Sequence, residues 1–282
     1  MKKKILVVGG EGYIGQIVCN ELLNTDHSVI SYDSLIYNQE PNVEAKNSIN
    51  YKYVKDDIRN LLKFRQLLIG IDSVIILAGL VGDPITKKYP ELSMSINRKG
   101  IKNLIDECVK ARIKKVIFVS TCSNYGLIES NDLASEEHEL NPLSSYAHDK
   151  VFIEKYILSL KNKVDSCFTI LRFATAFGLS SRMRYDLTVN EFTRDIFYSK
   201  KLEVYDPDTW RPYCHVKDFA NILLLILDAE KKKISFEVFN AGSDNNNHTK
   251  RMIVEKVLKF VNFNEVYYVN NKGSDPRNYR VN

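Results

Sequence analysis

A short aliphatic run, Lys4–Val8, passes directly into Gly9-Gly10-Glu11-Gly12-Tyr13-Ile14-Gly15. Few local patterns constrain a chain more. The run reads as a strand buried on both faces, and a helical pattern follows over 14–23. Two glycine spacings overlap, G-x-G-x-x-G at 10, 12 and 15 and G-x-x-G-x-x-G at 9, 12 and 15. Between a strand and a helix, glycines let backbone N–H groups and the helix N-terminus approach a pyrophosphate closely. A second strand over 28–32 ends in Asp33, 18 residues beyond Gly15. A carboxylate there accepts hydrogen bonds from the adenosine ribose hydroxyls and repels a 2′-phosphate. The neighbours Ser34 and Leu35 offer no arginine for that phosphate, so the reading favours NAD over NADP.

The alternation continues. Strands are expected over 51–54, 73–77, 115–119 and 168–171, and helices over 58–68, 95–111 and 142–160. This order predicts an α/β fold, a Rossmann-type parallel sheet with helices on both faces. From about Ala174 the alternation gives way to shorter mixed elements. The expected division is a cofactor-binding domain over 1–173 and a smaller C-terminal substrate lobe over 174–282, with some segments returning to the first sheet. Such a lobe would close over the strand ends, where open α/β sheets bind ligands.

The bulk composition excludes several classes. A net charge of +5 is mild, and no basic-plus-aromatic motif points to nucleic acid. The runs Lys2-Lys3-Lys4 and Lys231-Lys232-Lys233 read as solvated surface. Five cysteines, at 19, 108, 122, 167 and 214, are odd in number and lack a C-x-x-C spacing, which argues against a disulfide framework and against a metal site. The apolar run after the N-terminal lysines is too short for a signal peptide, and no membrane-spanning stretch occurs. The expectation is a reduced, cytoplasmic protein with no membrane partner.

Tyr146 and Lys150 supply a chemical centre. Pro142, with Asn141 as candidate cap, marks the expected helix start, which puts the two residues i, i+4 on one face. A nearby cation favours the phenolate of a tyrosine that ordinarily titrates near pH ~10, making it a usable base toward a sugar hydroxyl. Thr121, after the strand 115–119, stands where side chains face the ligand crevice and can orient the reacting hydroxyl.

Together these residues resemble the extended short-chain dehydrogenases/reductases, specifically the NAD-dependent nucleotide-sugar epimerase/dehydratase family typified by UDP-glucose 4-epimerase. The similarity spans nearly the whole chain. It includes Lys55-Asp56-Asp57-Ile58-Arg59, Leu77-Ala78-Gly79, Ile96-Asn97, Ser120-Thr121-Cys122-Ser123, Leu171-Arg172-Phe173-Ala174-Thr175, and Arg211-Pro212-Tyr213-Cys214-His215-Val216-Lys217-Asp218. The resemblance implies that Gly9, Gly12, Tyr13, Ile14, Gly15, Asp33 and Ser34 hold the cofactor. Asp57 and Ile58 would flank the adenine. Leu77, Ala78 and Gly79 would pass beneath the cofactor, Asn97 would stand near the pyrophosphate end, and Phe173 would face the nicotinamide. Thr121, Tyr146 and Lys150 would be catalytic. Val81, Ser123, Thr175, Asn190, Arg211, Lys272 and Arg277 would meet the sugar diphosphate; a forked, permanently charged arginine suits that role. His215 and Asp218 read equally as a structural turn.

The departures from the family pattern narrow the chemistry. Its dehydratases carry an Asp-Glu pair after the catalytic Thr, where this chain has Cys122 and Ser123. Its 3,5-epimerising members place a cysteine two residues after the Ser; here Cys122 is one residue early and reads as a small buried residue. Members of the family usually continue with a final helix beyond the residues that correspond to 275–282. The leading expectation is hydride removal from C4 of a nucleotide-diphosphate sugar, with net C4 epimerisation. The alternatives are a net C4 dehydrogenase or 4-keto reductase in deoxyhexose or heptose synthesis, and a catalytically inactive NAD-binding regulatory protein. The intact Thr121/Tyr146/Lys150 set argues against the last. Ile101, Leu104, Ile105 and Cys108 lie at helical spacing, and the helix over 151–160 carries several large apolar residues; one such face packs on the sheet, and the resemblance implies that the two helices pair across a two-fold axis as a homodimer through a four-helix bundle.

Overall fold

Alternate residues of each central strand face opposite sides of one sheet. Ile5 and Val7 pack with Val18, Leu22 and Phe219, while Leu6 and Val8 pack with Phe64, Leu104 and Ile153. Both faces are therefore apolar, as the unbroken aliphatic runs require. The chain is seen here as a computed structural model that describes residues 2–42, 44–128, 132–263, 265–270 and 277–282. In chain order its strands are β1 (Lys4–Val8), β2 (Ser28–Asp33), β3 (Tyr51–Lys55), β4 (Ser73–Ile76), β5 (Lys115–Thr121), β6 (Cys167–Phe173), β7 (Thr175–Phe177), β8 (Leu202–Tyr205), β9 (Trp210–His215), β10 (Glu237–Ala241), β11 (Asn247–Thr249) and β12 (Val266–Val269).

Seven strands form the main sheet in the order β3-β2-β1-β4-β5-β6-β10, all parallel. The connections reverse direction between β1 and β4, which opens a crevice at their carboxyl ends. Helices Tyr13–Asn24 and Val216–Asp228 cover one face. Helices Leu61–Leu67, Ile101–Lys110 and Ser145–Ser159 cover the other. The remaining strands form two small sheets, β11-β9-β7 and the parallel pair β12-β8, with a third core around Ile196, Val204 and Val254. No helix of the described residues is long and apolar enough to cross a membrane.

One segment from beyond residue 174 joins the main sheet, β10 pairing outside β6 in register Phe239↔Leu171. Two expectations are corrected. The expected helix over 95–111 is preceded by wide π-type turns over Met94–Gly100 before the regular helix Ile101–Lys110 begins. The helix carrying Tyr146 starts at Ser145, and Ser144, not Asn141, caps it: the Ser144 hydroxyl accepts the Ala147 N–H at 3.3 Å. Asn141 lies outside the helix, next to Gly126 across the loop. Its carbonyl lies so close to Gly126, which sits at φ +69°, that a Cβ there would come within 1.9 Å. Pro142 therefore belongs to the approach segment.

Candidate active site

The glycine loop is built by close approach. Gly9 adopts φ +85°, and a Cβ on it would meet the Ala78 nitrogen at 2.6 Å; a Cβ on Gly15 would meet the Gly9 carbonyl oxygen at 2.2 Å. The ends of β1 and β4 and the start of the first helix can converge only without those side chains. Gly12 caps that helix without a side-chain hydrogen bond, so the first-turn N–H groups face the crevice as an anion site. Glu11, fully buried, braces the loop by accepting the hydroxyls of Ser31 and Tyr51 and the Asn42 N–H, the last at 2.6 Å. Its own N–H donates to Asp33 at 3.1 Å, and the Leu35 N–H donates to the same carboxylate at 2.9 Å. Burial raises the Asp33 pKa; the two backbone N–H groups and the charge of Arg182 oppose that shift.

These parts border a cleft of about 1330 Å³. Its walls include Gly9, Gly12, Tyr13, Ile14, Gly15, Asp33, Ser34, Asp57, Ile58, Leu77, Ala78, Gly79 and Phe173 from the expected cofactor set. They also include Thr121, Tyr146 and Lys150, and Val81, Ser123, Thr175, Arg211 and Arg277 from the expected substrate set. Lys272 lies outside the described residues. The Asp57 carboxylate is forked onto Arg59, at 2.8 Å to Nε and 2.7 Å to Nη2, and that hydrogen bonding lowers its pKa.

Thr121 ends β5 and accepts the Ser123 N–H at 3.1 Å. Tyr146 stands in the first turn of its helix and Lys150 one turn on, its Nζ 5.7 Å from the Tyr146 ring centroid and 4.6 Å from that of Phe118. The ammonium donates to the Val119 carbonyl at 2.6 Å. Among the described residues that is its single hydrogen-bond acceptor, so two of its three N–H bonds remain for a ligand. Burial draws the Lys150 pKa down to about 8, against the raising influence of Glu154 and Asp149. The group still carries its charge at neutral pH.

Two predicted residues stand behind the wall instead of on it. Asn97 is buried, accepting the Leu80 N–H at 2.8 Å and donating to the Leu80 carbonyl and the Ser93 hydroxyl. Asn190 accepts the Gly178 N–H at 3.1 Å and donates to the Tyr13 hydroxyl and the Arg184 carbonyl. Both amides are occupied in holding loops. Arg211 reaches the cleft, yet one guanidinium nitrogen donates to the carbonyls of Trp210 and Arg277. His215 caps the helix Val216–Asp228 by accepting the Lys217 N–H, which fits the structural reading of that motif. Cys122 is buried and donates its thiol to the Arg172 carbonyl at 3.1 Å; burial pushes its pKa up.

The structure adds residues that the sequence reading missed. Tyr279 comes from the last residues of the chain and places its hydroxyl 3.2 Å from that of Ser123. Arg182 and Arg184 enter the cleft from the loop after β7, and Tyr37 from the loop after β2. The only trace of the arginines in the sequence is their close spacing in Arg182-Met183-Arg184.

The cradle fits a dinucleotide: a side-chain-free approach, an uncapped helix start, a carboxylate at the end of β2 and a buried ammonium with N–H bonds to spare. Comparison with known proteins agrees. A curated UDP-glucose 4-epimerase of Lactobacillus helveticus is 26% identical over 292 residues, covering 97% of this chain and 86% of that protein. An uncharacterised UDP-glucose epimerase of Bacillus subtilis (strain 168) is 28% identical over 269 residues, covering 92% and 81%. Among solved structures, UDP-glucose 4-epimerase of Thermotoga maritima with UDP-glucose superposes with a TM-score of 0.86 at 24% identity, over 99% of this chain and 89% of that one. The dTDP-glucose 4,6-dehydratase of Bacillus anthracis in complex with NAD gives 0.86 at 24%, over 99% and 88%. The profile of the NAD dependent epimerase/dehydratase family matches residues 5–242, and the chain belongs to that family.

Proposed function

We propose that this protein removes hydride from C4 of a nucleotide-diphosphate sugar and returns it to the opposite face, giving net C4 epimerisation. The observation that carries the choice is the surroundings of Thr121. The next two residues are a buried cysteine and a serine bound to Tyr279, so no carboxylate follows Thr121 to move the protons that dehydration at C5 and C6 needs. NAD, when bound, supplies the hydride acceptor. Tyr146 accepts the proton of the C4 hydroxyl as the C4–H bond gives up its electron pair, leaving a 4-keto sugar. Thr121 orients the hydroxyl, and the Lys150 ammonium favours the tyrosinate and holds the cofactor's ribose. Turning the keto sugar before the hydride and proton return inverts C4. The test is a panel of UDP-, GDP-, dTDP- and CDP-linked sugars with NMR of the products. Paired C4 epimers with no net change in NAD support the reading. A released 4-keto sugar with stoichiometric NADH would replace it by net dehydrogenation.

Two expectations follow. Asp33 should make NAD bind about 5–1000-fold more tightly than NADP, since opposing a 2′-phosphate with a carboxylate costs on the order of 1–4 kcal/mol. Calorimetric titration with both cofactors checks this, and equal affinity would remove Asp33 from the role. Second, Phe152 and Leu158 remain over a third exposed on the helix Ser145–Ser159, and Met94 on the turns preceding Ile101–Lys110. We assign this face to a second copy of the chain, paired as a four-helix bundle. Light scattering at micromolar concentration should give twice the 32.5 kDa chain mass; a monomer would refute the pairing.

A further inference from the structure

The loop between β7 and the helix Thr188–Phe197 is tied onto the glycine loop. The Tyr13 hydroxyl donates to the Gly178 carbonyl at 2.6 Å and accepts from the Asn190 amide at 2.9 Å, while the Asn190 oxygen accepts the Gly178 N–H. Two arginines of this loop line the cleft, and they differ in kind. Arg184 is forked onto Asp186, at 3.1 Å from Nε and 2.5 Å from Nη2. Arg182 is part-buried and, among the described residues, makes no hydrogen bond or ion pair; its guanidinium carbon stands 4.6 Å from the centroid of the Tyr37 ring. Tyr37 belongs to the loop that follows Asp33, and the charge of Arg182 is felt at the Asp33 carboxyl. The guanidinium thus lines the cleft beside Tyr37, on the side of the Asp33 carboxylate. A planar cation with five N–H donors, supported on an aromatic face and given no acceptor among the described residues, suits a phosphate oxygen.

We propose that Arg182 is a cofactor-binding residue supplied from outside the nucleotide fold, pairing with the diphosphate of the adenosine half of bound NAD while Tyr37 supports its guanidinium. The loop after β7 then holds the cofactor from above, as the glycine loop holds it from below. This ties cofactor retention to the position of the segment that also carries Asn190. The inference rests on NAD occupying the cradle and is independent of the sugar reaction.

The test is calorimetric titration of the protein and its R182A, R182K and Y37A variants with NAD, ADP-ribose, nicotinamide mononucleotide and UDP, with thermal melts of each ligand-free variant as the folding control. R182A should weaken NAD and ADP-ribose about 10–100-fold, the usual worth of a charge-assisted phosphate contact. R182K should recover part of that loss, Y37A should lose less than R182A, and nicotinamide mononucleotide and UDP should change less than about twofold. ADP-ribose affinity within twofold of the parent in R182A would overturn the proposal, as would a loss confined to UDP, which would move Arg182 to the substrate half. A parent protein that fails to bind ADP-ribose would instead overturn the cofactor reading beneath it.

Discussion

Tyr146→Phe is expected to lower turnover by roughly 10²–10⁴-fold, the usual contribution of a positioned acid/base, while leaving NAD affinity nearly unchanged. The separation follows from where the atoms sit. In the proposed mechanism the glycine loop, Asp33 and Lys150 hold the cofactor, and the substitution removes one hydroxyl at the cleft wall. Lys150→Met should damage both functions, because one buried ammonium faces the Tyr146 ring and, in the proposed mechanism, also holds the cofactor's ribose. Thr121→Ala should cost ~10–100-fold in turnover, equivalent to one orienting hydrogen bond of about 1.5–3 kcal/mol. The ordering is the decisive feature: Tyr146 selective for turnover, Lys150 mixed, Thr121 mildest. Steady-state rates with an authentic nucleotide sugar, beside NAD titrations, give both quantities for each variant. Near-normal turnover in Tyr146→Phe would exclude the mechanism even with the fold intact.

The second large effect is on stability and comes from behind the site. Glu154, one turn beyond Lys150, is almost fully buried against Arg172, with Arg172 Nη2 donating at 2.8 Å. The carboxylate also accepts from the Ser120 hydroxyl and the Asn124 amide. Arg172 in turn donates to the Tyr125 hydroxyl and the Glu136 carbonyl. Glu154→Ala would strand a buried guanidinium, at about 3–5 kcal/mol, lowering the melting temperature by roughly 6–20 °C for a chain of this size. Urea titration checks the figure. An E154A/R172M double variant should recover most of the loss, because a buried pair replaced by apolar groups is often close to neutral. Less than 1 kcal/mol lost in Glu154→Ala would show that the pair is not isolated from water. Glu154→Gln separates the electrical role from packing. Lys150 would lose a carboxylate that now raises its pKa toward about 8. Its charge would then be lost at lower pH, and the alkaline limb of the turnover profile should move down. An unmoved limb would leave Glu154 a purely structural role.

What could be read without the tertiary structure shares one property: local order decides it. Gly9 and Gly15 stand where a Cβ would strike backbone, and any sequence making that turn must leave them bare. Asp33 ends a strand with four consecutive buried residues, Val29 to Tyr32, and Tyr146 with Lys150 obey the helical period. The glycine turn and the shared helical face of the proposed catalytic pair were legible for that reason. The tertiary structure decided whatever depends on segments distant in sequence. Asn190 looks available for a substrate, yet it is taken up by Tyr13, 177 residues away. Ser144, three residues beyond Asn141, caps the helix that carries Tyr146, while the Asn141 carbonyl packs close against Gly126, a contact that no capping preference reveals. The residues next to Asp33 contain no arginine, yet chain folding brings Arg182 to the same corner. A hydrogen-bonding group goes to whichever partner the packed chain presents, and partners so far apart in sequence leave no periodic or spacing signal of their meeting.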